Sequence, residues 1–210
     1  MLHLKDVKKM YPQQLVIDIP ALELHSGLYW IKGANGAGKT TLLKMVAGLI
    51  PFEGDIACQG ISLKHNPVAY RNLISWAEAE PLYPPFLKGT ELVRLYLDIY
   101  KTATPQLLTT LTDALDMGAY IHHTIGSYSA GMTKKLSLLL AFLCNTPLVI
   151  LDEPLITLDA ATVTVVSNYI LEAQKRSGTL FLMSSHQQLP AHVTLPVKEM
   201  IVHHYNLMEV

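Results

Sequence analysis

The chain has 210 residues, with 16 Lys and Arg against 17 Asp and Glu and a formal net charge of -1. Apolar residues make up 50% and charged residues only 16%, which excludes a disordered chain. It also leaves no global positive field to hold DNA or RNA, so no nucleic-acid partner is expected. The mean hydropathy of +0.27 is high for a soluble domain, yet the longest apolar run, 136–144, stops at Asn145-Thr-Pro147 and is too short to span a bilayer. Lys5, Asp6, Lys8 and Lys9 interrupt residues 1–10, so these do not read as a signal peptide. Cys58 and Cys144 belong to no CxxC pattern and read as small core residues in a reducing compartment. A soluble or peripheral protein is expected, its apolar excess buried in a core or covered by a partner.

In chain order, the first 25 residues and the segment 54–63 read as short strands of an antiparallel edge sheet. Leu28-Tyr-Trp-Ile31 is a strand leading into a glycine-rich turn. Leu42, Met45, Val46 and Leu49 then recur at helical spacing, which starts a helix near Lys39 and ends it at Gly48 and Pro51. Pro81, Pro84 and Pro85 punctuate a loop. After it come the helical periods Leu92/Leu95/Tyr96/Ile99, Leu107/Leu111/Leu115 and Met132/Leu136/Leu139/Leu143, with no strand expected between 75 and 145. Leu148-Val-Ile-Leu151 and Leu180-Phe-Leu-Met183 are unbroken apolar runs that fit parallel strands covered on both faces. The pattern predicts one α/β domain, a mostly parallel sheet with flanking helices (1–74 and 146–210) and an inserted helical subdomain (75–145).

Gly33, Ala34, Asn35, Gly36, Ala37, Gly38, Lys39 and Thr40 fit G-x-x-x-x-G-K-S/T between that first predicted strand and helix. The glycines let successive N–H groups turn inward at phosphate oxygens, and the positive end of the helix adds to the attraction. Lys39 can reach the β- and γ-phosphates, and the Thr40 hydroxyl can ligate magnesium; Thr41 is counted with the loop as nucleotide-binding. Asp152 and Glu153 end the next buried strand, at the sheet edge where open α/β folds bind ligands. Alone, they would equally cap the turn before Pro154. Beside a phosphate loop, Asp152 reads as a magnesium holder and Glu153 as the group that polarises an attacking water. Met183-Ser-Ser-His186 brings His186 to the same edge, within reach of a γ-phosphate or the attacking water, and His186 is counted with Glu153 and Lys39 as catalytic, although a lone histidine after a strand is more often structural. The pairs His122/His123 and His203/His204 are read as diverging side chains without metal-ligand spacing, and no role is assigned to them.

Together these motifs resemble the nucleotide-binding subunit of ABC transporters over nearly the whole chain, and the resemblance implies a P-loop NTPase core. It places Tyr11 where the family stacks an aromatic ring on adenine, and Thr157-Leu158-Asp159 at the D-loop, which runs along a dimer interface. Tyr128-Ser129-Ala130-Gly131-Met132 matches the signature usually written LSGGQ, with Ser129 and Gly131 retained. Ser129 and the N–H groups opening the next helix form an anion site, which in the family closes over the nucleotide of a second subunit. Lys134 and Lys135 fall in that helix's first turn, where cations oppose the macrodipole; each reads first as solvated surface. The family's glutamine between sheet and helical subdomain is missing from 74–81, where Glu78 or Ala79 stands nearest and Glu80 is close.

The resemblance implies an ATPase that uses ATP and Mg2+, forms a head-to-tail homodimer, and drives a transmembrane permease on another chain from the cytoplasmic face of the membrane. Pro84-Pro-Phe86-Leu87 and the helix over 92–100 would face that permease. The alternatives are a non-transport ABC-type ATPase and a nucleotide-dependent switch with weak hydrolysis. Ser-Ser-His186-Gln-Gln-Leu-Pro190 resembles the short haem-exporter ATPases of cytochrome c maturation, and Tyr-Ser-Ala-Gly-Met resembles general bacterial export ATPases as much.

Overall fold

The computed structural model describes residues 1–100, 103–191 and 193–210. An antiparallel hairpin of β1 (Leu2–Tyr11) and β2 (Gln14–Leu24) leads into β3 (Gly27–Lys32) and α1 (Lys39–Val46). Then come β4 (Glu53–Cys58), β5 (Ile61–Ser62), the short α2 (Pro67–Arg71) and β6 (Ile74–Ala77). Three helices follow, α3 (Gly89–Ile99), α4 (Pro105–Ala114) and α5 (Ala130–Leu143), the last preceded by a single 3-10 turn at Ile125–Ser127. The chain finishes with β7 (Leu148–Asp152), α6 (Ala160–Ser177), β8 (Leu180–Ser184) and a hairpin of β9 (Lys198–His203) and β10 (Asn206–Glu209).

The strands form two sheets. A four-stranded antiparallel sheet runs β2-β1-β4-β5, and a six-stranded sheet runs β10-β9-β3-β8-β7-β6 with all neighbours parallel except β10. This is the predicted α/β class, with its mostly parallel sheet and antiparallel edge. Because side chains alternate along a strand, the parallel sheet feeds two cores. Tyr29, Ile31, Ile150 and Leu182 pack toward α1 and the antiparallel sheet, among Val7, Ile17, Leu43 and Ile56. Trp30, Leu151, Phe181 and Met183 pack on the other face, among Leu139, Phe142, Val166 and Ile170 of α5 and α6. Unbroken apolar strands are what such double coverage requires.

The antiparallel strands are longer than the short pieces expected, 10 and 11 residues for β1 and β2. A bulge hides the length of β1. Leu2 and Leu4 point inward, Asp6 adopts φ 51, the pairing with β4 slips, and Val7 takes up the inward face on the opposite parity. Strand β6 stands where the reading of 75–145 contained none. It is a four-residue edge strand held in register by β7, Ile74 opposite Leu148, and four residues carry little periodicity. Helix α6 and the terminal hairpin were also not predicted. α6 is rich in β-branched residues that favour strands locally, but it buries Val163, Val166, Ile170 and Ala173 at helical spacing. Asp159 caps its start, and Gly178 at φ 67 ends it.

Candidate active site

Parallel register assembles the site. Ile31 of β3 lies opposite Ser184 of β8, and Ser184 lies opposite Asp152 of β7, so three strands deliver their C-terminal ends to one edge. The loop 33–38 leaves β3 there. Gly38, the residue before α1, has φ 98, and a Cβ on it would stand 3.0 Å from Val16 Cγ1 and 3.3 Å from the Val16 carbonyl, so only glycine fits. The first turn-to-turn bond of α1 runs from Leu42 N–H to Gly38 O at 2.8 Å. The N–H groups of Lys39, Thr40 and Thr41 precede it and are left for an anion.

Lys39 is buried, and its Nζ donates to Gly33 O at 2.7 Å and Ala34 O at 3.0 Å, so the ammonium lies folded across the loop. Beneath it, Thr40 Oγ1 donates to Asp152 Oδ2 at 2.9 Å. The Ser184 hydroxyl donates to Asp152 Oδ1 and accepts from Glu153 N–H at 3.2 Å. Glu153 takes a left-handed backbone, φ 47. Its Oε1 accepts from His186 N–H at 3.0 Å and lies 2.9 Å from His186 Nδ1. Its Oε2 is buried with no hydrogen-bond partner among the described residues.

A cleft of about 420 Å³ opens over the loop, lined by Tyr11, Gln14, Val16, Asn35, Gly36, Gly38, Lys39, Thr40, Thr41 and Glu153. Lys9 Nζ sits over the Tyr11 ring, 4.9 Å from its centroid, at the cleft's outer end. Of the other predicted residues, Gly33, Ala34 and Asp152 lie beneath the cleft, and Ala37 faces a neighbouring groove shared with His203 and His204. Those two histidines do not diverge: a positive φ at His204 turns their rings to within 3.9 Å.

Ser129, Gly131, Asp159 and His186 do not line the cleft. Ser129 caps α5, accepting from Met132 N–H at 3.2 Å, and a Cβ on Gly131 would stand 3.0 Å from the Thr157 carbonyl. Signature and D-loop therefore touch within one chain. Asp159 accepts from both Thr162 N–H and Thr162 Oγ1 at 2.8 Å. Those bonds, the N–H first, hold its carboxyl below the usual range.

The chain matches the family described as ABC transporter over residues 21–156. It is 32% identical over 179 residues to the cytochrome c biogenesis ATP-binding export protein CcmA of Legionella pneumophila (strain Lens), covering 85% of this chain and 86% of that protein. The chain belongs to the ABC transporter family. It is an ATP-binding, ATP-hydrolysing subunit of that family. The uncharacterized ABC transporter ATP-binding protein YhcH of Bacillus subtilis (strain 168) is 29% identical over 188 residues, 88% of this chain and 61% of that protein. Among solved structures, an ATP-binding subunit of an ABC transporter superposes at TM-score 0.90 with 24% identity, over 100% of this chain and 89% of the other. A dimeric ATP-binding cassette in a post-hydrolysis state with ADP and Pi gives TM-score 0.86 at 18% identity, over 100% and 98%.

Two residues of this ABC ATPase were missed as parts of its site. Ser184 ends an apolar run directly opposite Asp152; a polar residue closing a buried strand was its only signal. Lys134, read as solvated surface, is 1% exposed. Its Nζ donates to Glu78 O at 2.7 Å, Asp152 O at 3.0 Å and Ala79 O at 3.2 Å. Burial pulls its ammonium down to about 8, against the upward pull of Asp152, Glu153 and Glu78. Lysine at this place signals charge, and only the packing of α5 against β6 turns it inward.

Proposed function

We propose that this ABC ATPase binds Mg-ATP through the loop 33–41 and Tyr11, and that Glu153 orients the water that attacks the γ-phosphorus. The observation that carries the reading is the chain of contacts Thr40, Asp152, Ser184 and Glu153 under the phosphate loop, ending in a buried carboxylate oxygen free to accept. Oε1 is engaged by His186, which fixes the carboxylate, while Oε2 accepts the proton side of a water. Lys39 and the N–H groups of α1 stabilise charge on the phosphoryl oxygens as the bond to ADP breaks. The Thr40 hydroxyl and the Asp152 carboxylate are adjacent hard-oxygen donors, which fits magnesium held by few protein groups and completed by phosphates. The ion would neutralise charge between the β- and γ-phosphates.

The cleft contains no residue of the signature, so its outer wall is assigned to a second copy, with Ser129, Gly131 and the start of α5 facing that copy's nucleotide head to tail, and Asp159 at the interface. Residues 1–77 and 146–210 act as the ATPase core of a single domain and 78–145 as its helical subdomain, because the boundary expected at 75 would cut through β6 of the parallel sheet. Leu82 (91% exposed), Phe86, Leu95 and Ile99 are exposed apolar side chains on that subdomain, where a transmembrane permease would dock and hold the chain at the cytoplasmic face of the membrane. Within the helix expected over 92–100 to face the permease, Leu92 and Val93 are core residues instead. No helix among the described residues is long and apolar enough to cross a membrane.

Glu153→Gln tests the reading. ATP affinity should stay within about threefold, hydrolysis should fall at least about 100-fold, and light scattering should find an ATP-dependent dimer. Turnover within twofold of the parent refutes the role of Glu153; a persistent monomer with bound ATP refutes the dimer.

A further inference from the structure

Lys134 occupies a place that costs a lysine dearly. It lies in the second turn of α5, near the positive end of the helix, where a cation is disfavoured. It is also buried, and burying an ammonium is expensive unless each of its protons is bonded. All three are: the acceptors are the carbonyls of Glu78, Ala79 and Asp152. None of these acceptors is a carboxylate, so the group acts as a fastener of backbone and not as half of an ion pair. An apolar side chain of the same length would fill this space without the desolvation, so filling space does not account for the ammonium.

The third carbonyl belongs to the peptide that joins Asp152 to Glu153. The N–H of the same peptide donates to Ser184 Oγ at 3.2 Å. One peptide plane is therefore gripped at its oxygen by α5 and at its nitrogen by β8. The residue after it carries the strain: a left-handed backbone is disfavoured for a non-glycine residue, and Glu153 holds φ 47. Rotation of the 152–153 plane is the direct escape from that strain; it would break the peptide's bonds to Lys134 and Ser184 and loosen the backbone that presents the Glu153 carboxylate to the cleft. The ammonium's other two bonds anchor the grip to the 78–79 turn, whose Glu78 carboxylate pairs with Lys44 of α1 at 3.3 Å. The grip thus spans the signature helix, the junction with the sheet and the phosphate-loop helix.

We propose that Lys134 is a positioning residue of the ATPase reaction, in which its ammonium locks the peptide plane ahead of Glu153 so that the carboxylate faces the phosphate loop. Its three protons are all engaged by backbone carbonyls and it acts through Glu153, so the inference rests on the role of Glu153 proposed above. Sequence position hides it, because it stands at the polar start of the helix between Thr133 and Lys135, which are only partly buried.

The test compares Lys134→Met, Lys134→Arg and Glu153→Gln in the full chain by steady-state ATP hydrolysis. Lys134→Met should lower kcat at least tenfold and change KM for ATP less than threefold, because Lys39 and Thr40 make no contact with the ammonium. Lys134→Arg, which restores a charged donor, should recover at least threefold of the lost kcat. Full kcat in Lys134→Met with a slow Glu153→Gln overturns the inference alone; full turnover in Glu153→Gln overturns the reading beneath it. A parallel rise in KM, or no recovery by arginine, also counts against positioning. If the 134 variants do not fold, 15N-lysine spectra of proteins that keep Lys134 decide. A slowly exchanging Nζ signal that shifts between the parent and Glu153→Gln, each with Mg-ATP, supports the grip, and an unchanged signal refutes it.

Discussion

Ser184 is completely buried, and its one hydroxyl serves two partners, donating to the Asp152 carboxylate and accepting from the Glu153 N–H. Ser184→Ala removes both contacts and adds none. A hydrogen bond to a charged group contributes about 1.5–3 kcal/mol, and stranding a buried N–H costs about 1–3 kcal/mol more. Thr40 still serves the other carboxylate oxygen, which keeps Asp152 partly satisfied and argues for the lower part of that range, about 3 kcal/mol. For a domain of this size, each kcal/mol shifts the melting temperature about 2–4 °C, so thermal unfolding followed by circular dichroism should show a drop of about 6–12 °C. Hydrolysis should fall with it, since the 152–153 peptide loses one of its two anchors. Ser185→Ala is the control: among the described residues its hydroxyl accepts only from Gln187 N–H, at 2.9 Å, and about 1 kcal/mol is at stake. A Ser184→Ala protein that melts within 2 °C of the parent would refute the bridging role, and so would one that melts no lower than Ser185→Ala.

Tyr11→Ala should weaken ATP binding about 5- to 30-fold through loss of ring stacking, about 1–2 kcal/mol, measured by titration calorimetry; unchanged affinity removes Tyr11 from the site. Thr40→Val keeps the shape of the side chain but deletes a hard-oxygen donor, so the magnesium concentration for half-maximal turnover should rise about tenfold. Turnover as a function of added magnesium checks it. Gly38→Ala forces a side chain onto φ 98 against Val16, and the strain of about 1–2 kcal/mol should lower the melting temperature by about 2–8 °C. Phe86→Ser, at a position 75% exposed, should leave both stability and hydrolysis of the isolated chain unchanged while weakening co-purification with a permease; undiminished capture counts against the docking surface.

Elements whose side chains obey one strong local rule were legible from the sequence. The phosphate loop was readable because only glycine tolerates backbone such as that of Gly38, and because the flanking strand and helix are strongly patterned. The buried strands β7 and β8 announced themselves as unbroken apolar runs, and so located Asp152, Glu153 and His186 at one sheet edge. Where local preference and burial disagree, the sequence was silent: α6 is helical despite its valines, β6 is too short to show a period, and the β1 bulge inverts the inward face within one strand.

The residue types of an ATP site, their order and their spacing are therefore determined by the sequence alone, because phosphate and magnesium demand particular atoms wherever the chain supplies them. What the tertiary structure alone decided is which of those atoms meet. Parallel register, a long-range property, sets Ser184 against Asp152, and the packing of α5 against β6 buries an ordinary-looking lysine under the catalytic edge. Contacts between residues dozens of positions apart are encoded in no local pattern. They exist only once the sheet has ordered its strands and the helix has chosen its face.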